Sequence, residues 1–232
     1  MIKKLFLTLV LSASLFAYDS GLEAFKAKEY KKAFELYTKE AKEGNSVSQN
    51  ALSYLYFNGI GTEKDKIKGM EWLDKSAHNA DAEAQFDLAM MYFSGLNTKK
   101  DLKKAAFWLE RSSDLQNPKA QYNLALMYYK GEGVDQNVTK SSQLLEISAR
   151  KGYEPSVQNI GRIYMQLLKL DKAAFWLEKN AQNGDVDAYY LLAEIYCTQE
   201  KFIKAKKWAK KSIDTGNLLA KELWDKHNLK KY

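Results

Sequence analysis

The chain has 232 residues, 46% hydrophobic and 28% charged, which is ample for a folded core and too apolar for a disordered chain. With 2 Pro and 12 Gly it does not read as a sandwich of many short strands; Lys, Glu, Ala and Leu with scattered aromatics point to an all-α fold. The formal charge is +7, but Arg occurs only at Arg111, Arg150 and Arg162, and the Lys are mixed with 29 acids. The Lys therefore read as solvated helix faces, and no nucleic acid is expected as a partner. Cys197 is the single cysteine, so no intrachain disulfide is possible. His78 and His227 lack ligand spacing for zinc, and no metal or cofactor is expected.

In chain order, residues 1–17 read as an export signal. Lys3 and Lys4 precede a short apolar run from Leu5 to Phe16, and Ala17 supplies a small residue for cleavage. The run is too short to anchor in a bilayer, so a periplasmic or secreted chain without a membrane span is expected. Residues 18–44 form a divergent helix pair. Tyr30, Ala33, Leu36, Tyr37 and Ala41 give its second helix the 3.6-residue period, and Gly44-Asn45 stops it.

Residues 45–216 hold five repeats. Ala84 to Gly95 returns almost unchanged as Ala120 to Gly131, an offset of 36 residues. One position carries Tyr56, Tyr92, Tyr128, Tyr164 and Tyr196. Leu52, Leu88, Leu124, Ile160 and Leu192 lie four residues earlier, each followed by Ser53, Ala89, Ala125, Gly161 or Ala193. A small residue beside a large one marks close approach of two helices. The second helices carry Trp72, Trp108, Leu144, Trp176 and Trp208, each with a Lys and a small residue upstream, as in Lys104-Ala105. The period shortens to 32 after Tyr164, where four residues and the Gly-x-Gly are missing from the inter-helix loop. Residues 217–232 read as one amphipathic capping helix.

The pattern Ala-x-Ala-Gln-x-x-Leu-Ala-x-x-Tyr-x-x-Gly, then Asp-x-x-Lys-Ala-x-x-Trp-Leu, resembles the Sel1-like repeat, a relative of the tetratricopeptide repeat, over about residues 46–216. The first pair resembles a plain tetratricopeptide repeat. The resemblance implies a right-handed α/α superhelical solenoid of antiparallel helix pairs, acting as a scaffold or adaptor that holds a protein or peptide on its concave face. Export and repeat form are also similar to a cysteine-rich branch of the family, whose members carry a disulfide in each repeat and are labelled β-lactamases or penicillin-binding. This chain has one cysteine where that branch has a pair per repeat. An amide hydrolase acting on β-lactams is the alternative that the branch suggests.

In arrays of this kind the first helix of each pair lines the groove. Two rows follow: Asn50, Phe86, Tyr122, Gln158 and Tyr190, and Tyr54, Met90, Leu126, Arg162 and Glu194. Aromatic and Met side chains there suit a partner's apolar groups, while Arg162 and Glu194, charges on an otherwise apolar row, each need a partner. A third row, Phe57, Phe93, Tyr129, Met165 and Cys197, is expected to pack in the core, with Cys197 a small hydrophobe and not a nucleophile.

No coherent catalytic set stands out. Ser148-Ala149-Arg150-Lys151 matches S-x-x-K, but S-D-N and K-T-G are absent and the match ends a second helix. Asn137-Val138-Thr139 is the single N-x-S/T sequon, with Asp135 two residues before the Asn, and resembles the extended acceptor of bacterial N-glycosylation. Two readings stand: Asn137 is a glycosylation site, or, aligned with Asp65 and Asp101, it caps the next helix.

Overall fold

The computed structural model describes residues 20–232; the export signal expected over 1–17 lies outside the described residues. A helix whose described residues are 20–26 (α1) leads into α2 (Tyr30–Lys42), α3 (Ser46–Asn58), α4 (Lys66–His78), α5 (Ala82–Ser94), α6 (Leu102–Asp114) and α7 (Pro118–Lys130). Then come α8 (Val138–Arg150), α9 (Glu154–Gln166), α10 (Leu170–Gln182), α11 (Asp187–Thr198), α12 (Phe202–Asp214) and α13 (Leu218–Lys226), and a 3-10 turn over Leu229–Lys231. The architecture is all-α, in sequential antiparallel helix pairs of the Sel1 and tetratricopeptide type. The chain divides into two compact units. The first runs through Met127 and includes Glu132–Asp135; the second comprises Tyr128–Gly131 and Gln136–Tyr232.

Local signals set the helix starts. Asn45, Asp65, Asp81, Asp101, Asn137 and Asn217 each accept a backbone N–H of the first turn through the side chain, satisfying an otherwise orphaned donor. In the first unit α3 packs on α4 and α5 on α6, and α2 and α4 pack on the following first helices. The second unit repeats this through α9 on α10 and α11 on α12. The row of Leu52, Leu88, Leu124, Ile160 and Leu192 is essentially sealed from solvent, with the small residues beside it buried as well. Burying each such side chain contributes about 1.5–3 kcal/mol.

Two polar ladders lock the first unit. The Gln of the repeated Ala-Gln donates to a closing carbonyl of the preceding second helix: Gln49 Nε2 to Ala41 O at 3.0 Å, Gln85 to Ala77 O at 2.9 Å, Gln121 to Ser113 O at 3.3 Å. Ser76 and Ser112 each donate at 2.6 Å to the first carbonyl of α3 and α5, Ser46 O and Ala82 O. The upstream Lys of each second helix also has a duty. Its ammonium lies over the repeat tyrosine, at 5.5 Å for Lys68 on Tyr56, 5.2 Å for Lys104 on Tyr92, 4.3 Å for Lys140 on Tyr128, 5.1 Å for Lys172 on Tyr164 and 5.0 Å for Lys204 on Tyr196. Each such contact is worth about 0.5–1 kcal/mol at the surface.

The long inter-helix loops do more than connect. A Cβ on Gly61 would meet Tyr30 O at 2.2 Å, and one on Gly133 would meet Leu102 O at 2.4 Å. Both glycines have positive φ, 70° and 74°. Each loop thus lies flat on the start of the preceding second helix, α2 or α6, which only Gly allows. The terminal segment differs from the single helix expected over 218–232. Asn228 takes φ 47°, α13 stops at Lys226, and Leu229 folds back to full burial while Tyr232 stacks on Phe202 at 4.7 Å, so the apolar side chains of the segment are brought back onto α12.

Candidate functional site

In the first unit α1, α3 and α5 present their faces to two adjoining cavities. One, of about 520 Å³, is lined by Asn50, Tyr54, Phe57, Asp87, Met90 and Met91 among others. The other, of about 430 Å³, includes Leu22, Phe25, Tyr37, Asn50, Tyr54 and Asp87. Asn50, Tyr54 and Asp87 belong to both, so the cavities form one groove with these three at its middle. Helical spacing puts them there: Asn50 and Tyr54 are one turn apart on α3, and Asp87 and Met90 share a face of α5. Tyr54 is 54% exposed, its ring meeting Phe25 edge-on at 6.4 Å and otherwise open to the groove.

The groove carries charges of both signs: Lys64 and Lys66 line the first cavity together with Asp87, while Asp81 and Glu83 line the second. Asp81 is spent on capping α5, accepting from Ala84 N at 2.7 Å and from Asn50 Nδ2 at 3.4 Å. Glu83 pairs with Lys119 at 3.1 Å. Asp87 faces the open groove and, among the described residues, has no cation at ion-pair distance. Asp87 is itself solvent-exposed; partial desolvation along the groove wall and the Glu83 carboxylate, with a smaller push from Asp81, raise its carboxyl to about 6 against the opposing pull of Lys119. Phe86, beside it, is half-buried under the Lys119 ammonium at 5.7 Å. Tyr122 and Leu126 on α7 are half-buried.

The second unit is different. Gln158 and Arg162 line a polar cavity of about 390 Å³ with Glu154, Asn180, Asp185 and Asp187. Arg162 finds its partner inside the chain, Asp187 at 3.7 Å, and donates to Gln158 O at 3.3 Å. Tyr190 and Glu194 are half-buried on α11; burial, Glu194 and Glu222 raise the Tyr190 phenol. A half-buried network with exposed cations lies on the other side of α9. Burial alone would raise the Glu146 carboxyl, but hydrogen bonds from Tyr164, Arg150 and Lys172 outweigh it and bring it down to about 2. Burial and that same bond push the Tyr164 phenol up to about 12.

Sequence reasoning missed Asp87. Its counterparts at the same register are Ala51, Asn123, Asn159 and Leu191, so it is the only acid on that row, a signal legible in hindsight. Phe57, assigned to the core, has two roles: it lies against Gly69, whose Cβ would come within 2.8 Å of the ring, and it also lines the groove. Cys197 is buried, and burial raises its thiol. Ser148 is fully buried and accepts from Ser156 Oγ at 2.8 Å. It occupies the register of Ser76 and Ser112, so its place in S-x-x-K is accounted for by helix contact. Among the described residues no group of three or more His, Cys, Asp or Glu converges as a metal site, and no helix is long and apolar enough to cross a membrane.

The Sel1 repeat profile matches residues 13–45, 46–81, 82–117, 118–153, 168–185 and 186–217, most of the chain. The chain belongs to the Sel1 repeat family. Comparison with curated protein sequences gives no match. Among solved structures, this Sel1 repeat protein is similar to one from Oxalobacter formigenes at 27% identity, covering 88% of this chain and 84% of that one, with a TM-score of 0.67. It is similar at 28% identity and TM-score 0.67 to c5321, a protective antigen of uropathogenic Escherichia coli strains displaying an SLR fold. That alignment covers 82% of this chain but spans only 43% of the antigen's length. Helicobacter pylori cysteine-rich protein B is similar over 55% of this chain and 92% of its own, at 26% identity and TM-score 0.45. The single cysteine here leaves no pair for intrachain disulfides.

Proposed function

We propose that this Sel1 repeat protein is an exported binding scaffold, and that its first unit holds an extended protein or peptide segment in the groove along α1, α3 and α5. The observation that carries the reading is the shared lining of Asn50, Tyr54 and Asp87 between two cavities whose apolar walls include Phe25, Phe57 and Met90, with Lys64 and Lys66 at the edge of the first. Open aromatic and thioether surface suits apolar side chains of varied shape. A carboxylate with no ion-pair partner among the described residues, raised toward neutral pH, suits a basic side chain, which would supply a counter-ion. The segment we propose therefore carries Lys or Arg beside an apolar residue. Phe86, Tyr122 and Leu126 extend the candidate surface on the first unit; Gln158, Arg162, Tyr190 and Glu194 offer polar contacts on the second. The periplasmic or secreted location rests on the pattern of residues 1–17.

Selection of a random peptide library on the purified chain tests this. Enriched peptides should share a basic residue next to an aliphatic or aromatic one. Tyr54→Ala with Met90→Ala should weaken them about tenfold or more, a loss of ~1.4 kcal/mol or above. Asp87→Asn should remove the basic preference, and wild-type binding should fall as pH drops from 7 to 5, since Asp87 is neutralised near 6. Peptides without a basic consensus, or binding unchanged by the groove substitutions, would sink the assignment. Phe86→Ala with Tyr122→Ala tests the extension in the same assay.

A further inference from the structure

The loop before α8 holds a feature that groove binding does not use. Asp65, Asp101 and Asn137 occupy one register position, and all three cap a second helix. Asp65 Oδ1 accepts from Ile67 N and Lys68 N, at 3.1 and 3.0 Å; Asp101 Oδ1 accepts from Lys104 N at 3.0 Å. Asn137 Oδ1 accepts from Lys140 N at 2.8 Å. A carboxylate does this as well as an amide and adds a favourable charge at the helix N-terminus. Capping therefore explains an oxygen at this position and leaves the amide nitrogen unexplained.

That nitrogen is available. The Asn137 backbone N–H is engaged by Tyr128 O at 2.7 Å and Oδ1 by the cap, while Nδ2 has no hydrogen-bond partner among the described residues. The backbone at Asn137 is extended, φ −150° and ψ 91°. Asp135, Gln136, Asn137 and Thr139 are all exposed. A substituent on Nδ2 projects into solvent and leaves the Oδ1 cap of α8 intact, so the fold tolerates it without rearrangement.

We infer that Asn137 is a glycan acceptor, modified on Nδ2 within Asn137-Val138-Thr139, and that the donor is an oligosaccharide carried on a lipid diphosphate. In the transfer, a bond forms between Nδ2 and the sugar's anomeric carbon, and the bond from that carbon to the diphosphate oxygen breaks. The diphosphate leaves with the bonding electron pair, the amide nitrogen gives up one proton to a base of the transferase, and nothing is oxidised or reduced. The Thr139 hydroxyl completes the sequon recognised by the transferase. This rests on the proposed export, because it places the chain beside a membrane-borne donor.

The test uses the full chain expressed in its own host. Cells are fractionated, and intact mass is measured for wild type, Asn137→Asp and Thr139→Ala. Asn137→Asp keeps the cap, as Asp65 and Asp101 do, and Thr139→Ala leaves the cap atoms untouched, so both variants should retain wild-type circular dichroism. The expected result is an oligosaccharide mass on the wild type in the envelope or secreted fraction, absent from both variants, with peptide mapping placing it on Asn137. An exported wild type that differs from Asn137→Asp by the substitution mass alone overturns the site and leaves export standing. A glycan that survives both substitutions overturns the assignment to this sequon. A wholly cytoplasmic, unmodified chain overturns export and modification together.

Discussion

The first unit and the second unit use the same helix pair but treat their acids in opposite ways, and only the first has the long glycine-bearing loops that reach back onto a preceding helix. In the first, Asp87 lies in a mixed polar and apolar groove with no cation at ion-pair distance among the described residues, and its carboxyl is pushed up to about 6. In the second, Glu146 is wrapped by Tyr164, Arg150 and Lys172 and held down near 2, Tyr196 donates to Glu178 at 2.7 Å, and Arg162 meets Asp187. An acid whose charge is satisfied inside the fold stabilises it; one left unsatisfied costs stability and favours a partner. The loops divide by repeat length instead, since the α1–α2 turn of the first unit, through Lys28 at φ 63°, is of the same tight type as those of the second. Those after α3 and α7 reach back through Gly61 and Gly133 onto the start of α2 and α6. After α9 and α11 the chain turns at once, through Leu168 at φ 54° and Glu200 at φ 56°, and the Gln ladder gives way to Val157 and Tyr189. Shortening the repeat from 36 to 32 residues thus exchanges a clamp on the preceding pair for a tight turn with backbone strain.

The largest expected effect tests what the regions share. Leu52→Ala and Ile160→Ala both remove a fully buried side chain at the same register, and each should cost about 2–5 kcal/mol by urea denaturation. Costs that differ well beyond that spread would mean the two repeat lengths do not share one core. Next, Gly61→Ala should cost about 2–4 kcal/mol, through positive φ and collision with Tyr30 O, and should raise hydrogen exchange at the start of α2. A neutral result would remove the clamp.

The acids come third, with opposite signs. Glu146 has a folded pKa below its unfolded value, so its contribution is present above about pH 4.5 and is lost as pH falls toward 2. Glu146→Gln should lower stability at pH 7 by about 1–2 kcal/mol and flatten that acid limb. Asp87 has a raised folded pKa, so the folded state holds a proton that the unfolded state has released between about pH 4 and 6. Its linkage makes stability fall as pH rises through that window, and Asp87→Asn should remove the slope and be mildly stabilising at pH 7. The effect should be smaller than at Glu146, since solvent reaches the groove. Matching slopes from the two variants would break the comparison. The smallest effect is Leu168→Gly, which should stabilise by up to about 1 kcal/mol by relieving the left-handed residue; Leu168 is 81% exposed and loses little burial. Destabilisation in the melting curve would show that this turn is not strained.

By itself the sequence determined the repeat, its period, the buried Leu, Ile and small-residue row, the helix caps and the family. These are encoded locally: a 3.6-residue period, a cap three residues from its N–H, and a turn glycine are all properties of a few neighbouring residues. It also brought Asn50, Tyr54 and Met90 onto one face, because register alone places them. Only the tertiary structure decided that Asp87 lies between two cavities, that Arg162 is paired with Asp187, and that Phe57 serves core and groove together. It likewise separated the two atoms of the Asn137 amide, one bound to the cap and one without a hydrogen-bond partner among the described residues, on an exposed side chain. The reason is physical. Burial, charge pairing and enclosure arise from residues far apart in the chain, and a carboxylate reads the same in sequence whether its neighbour in space is a lysine or an empty groove.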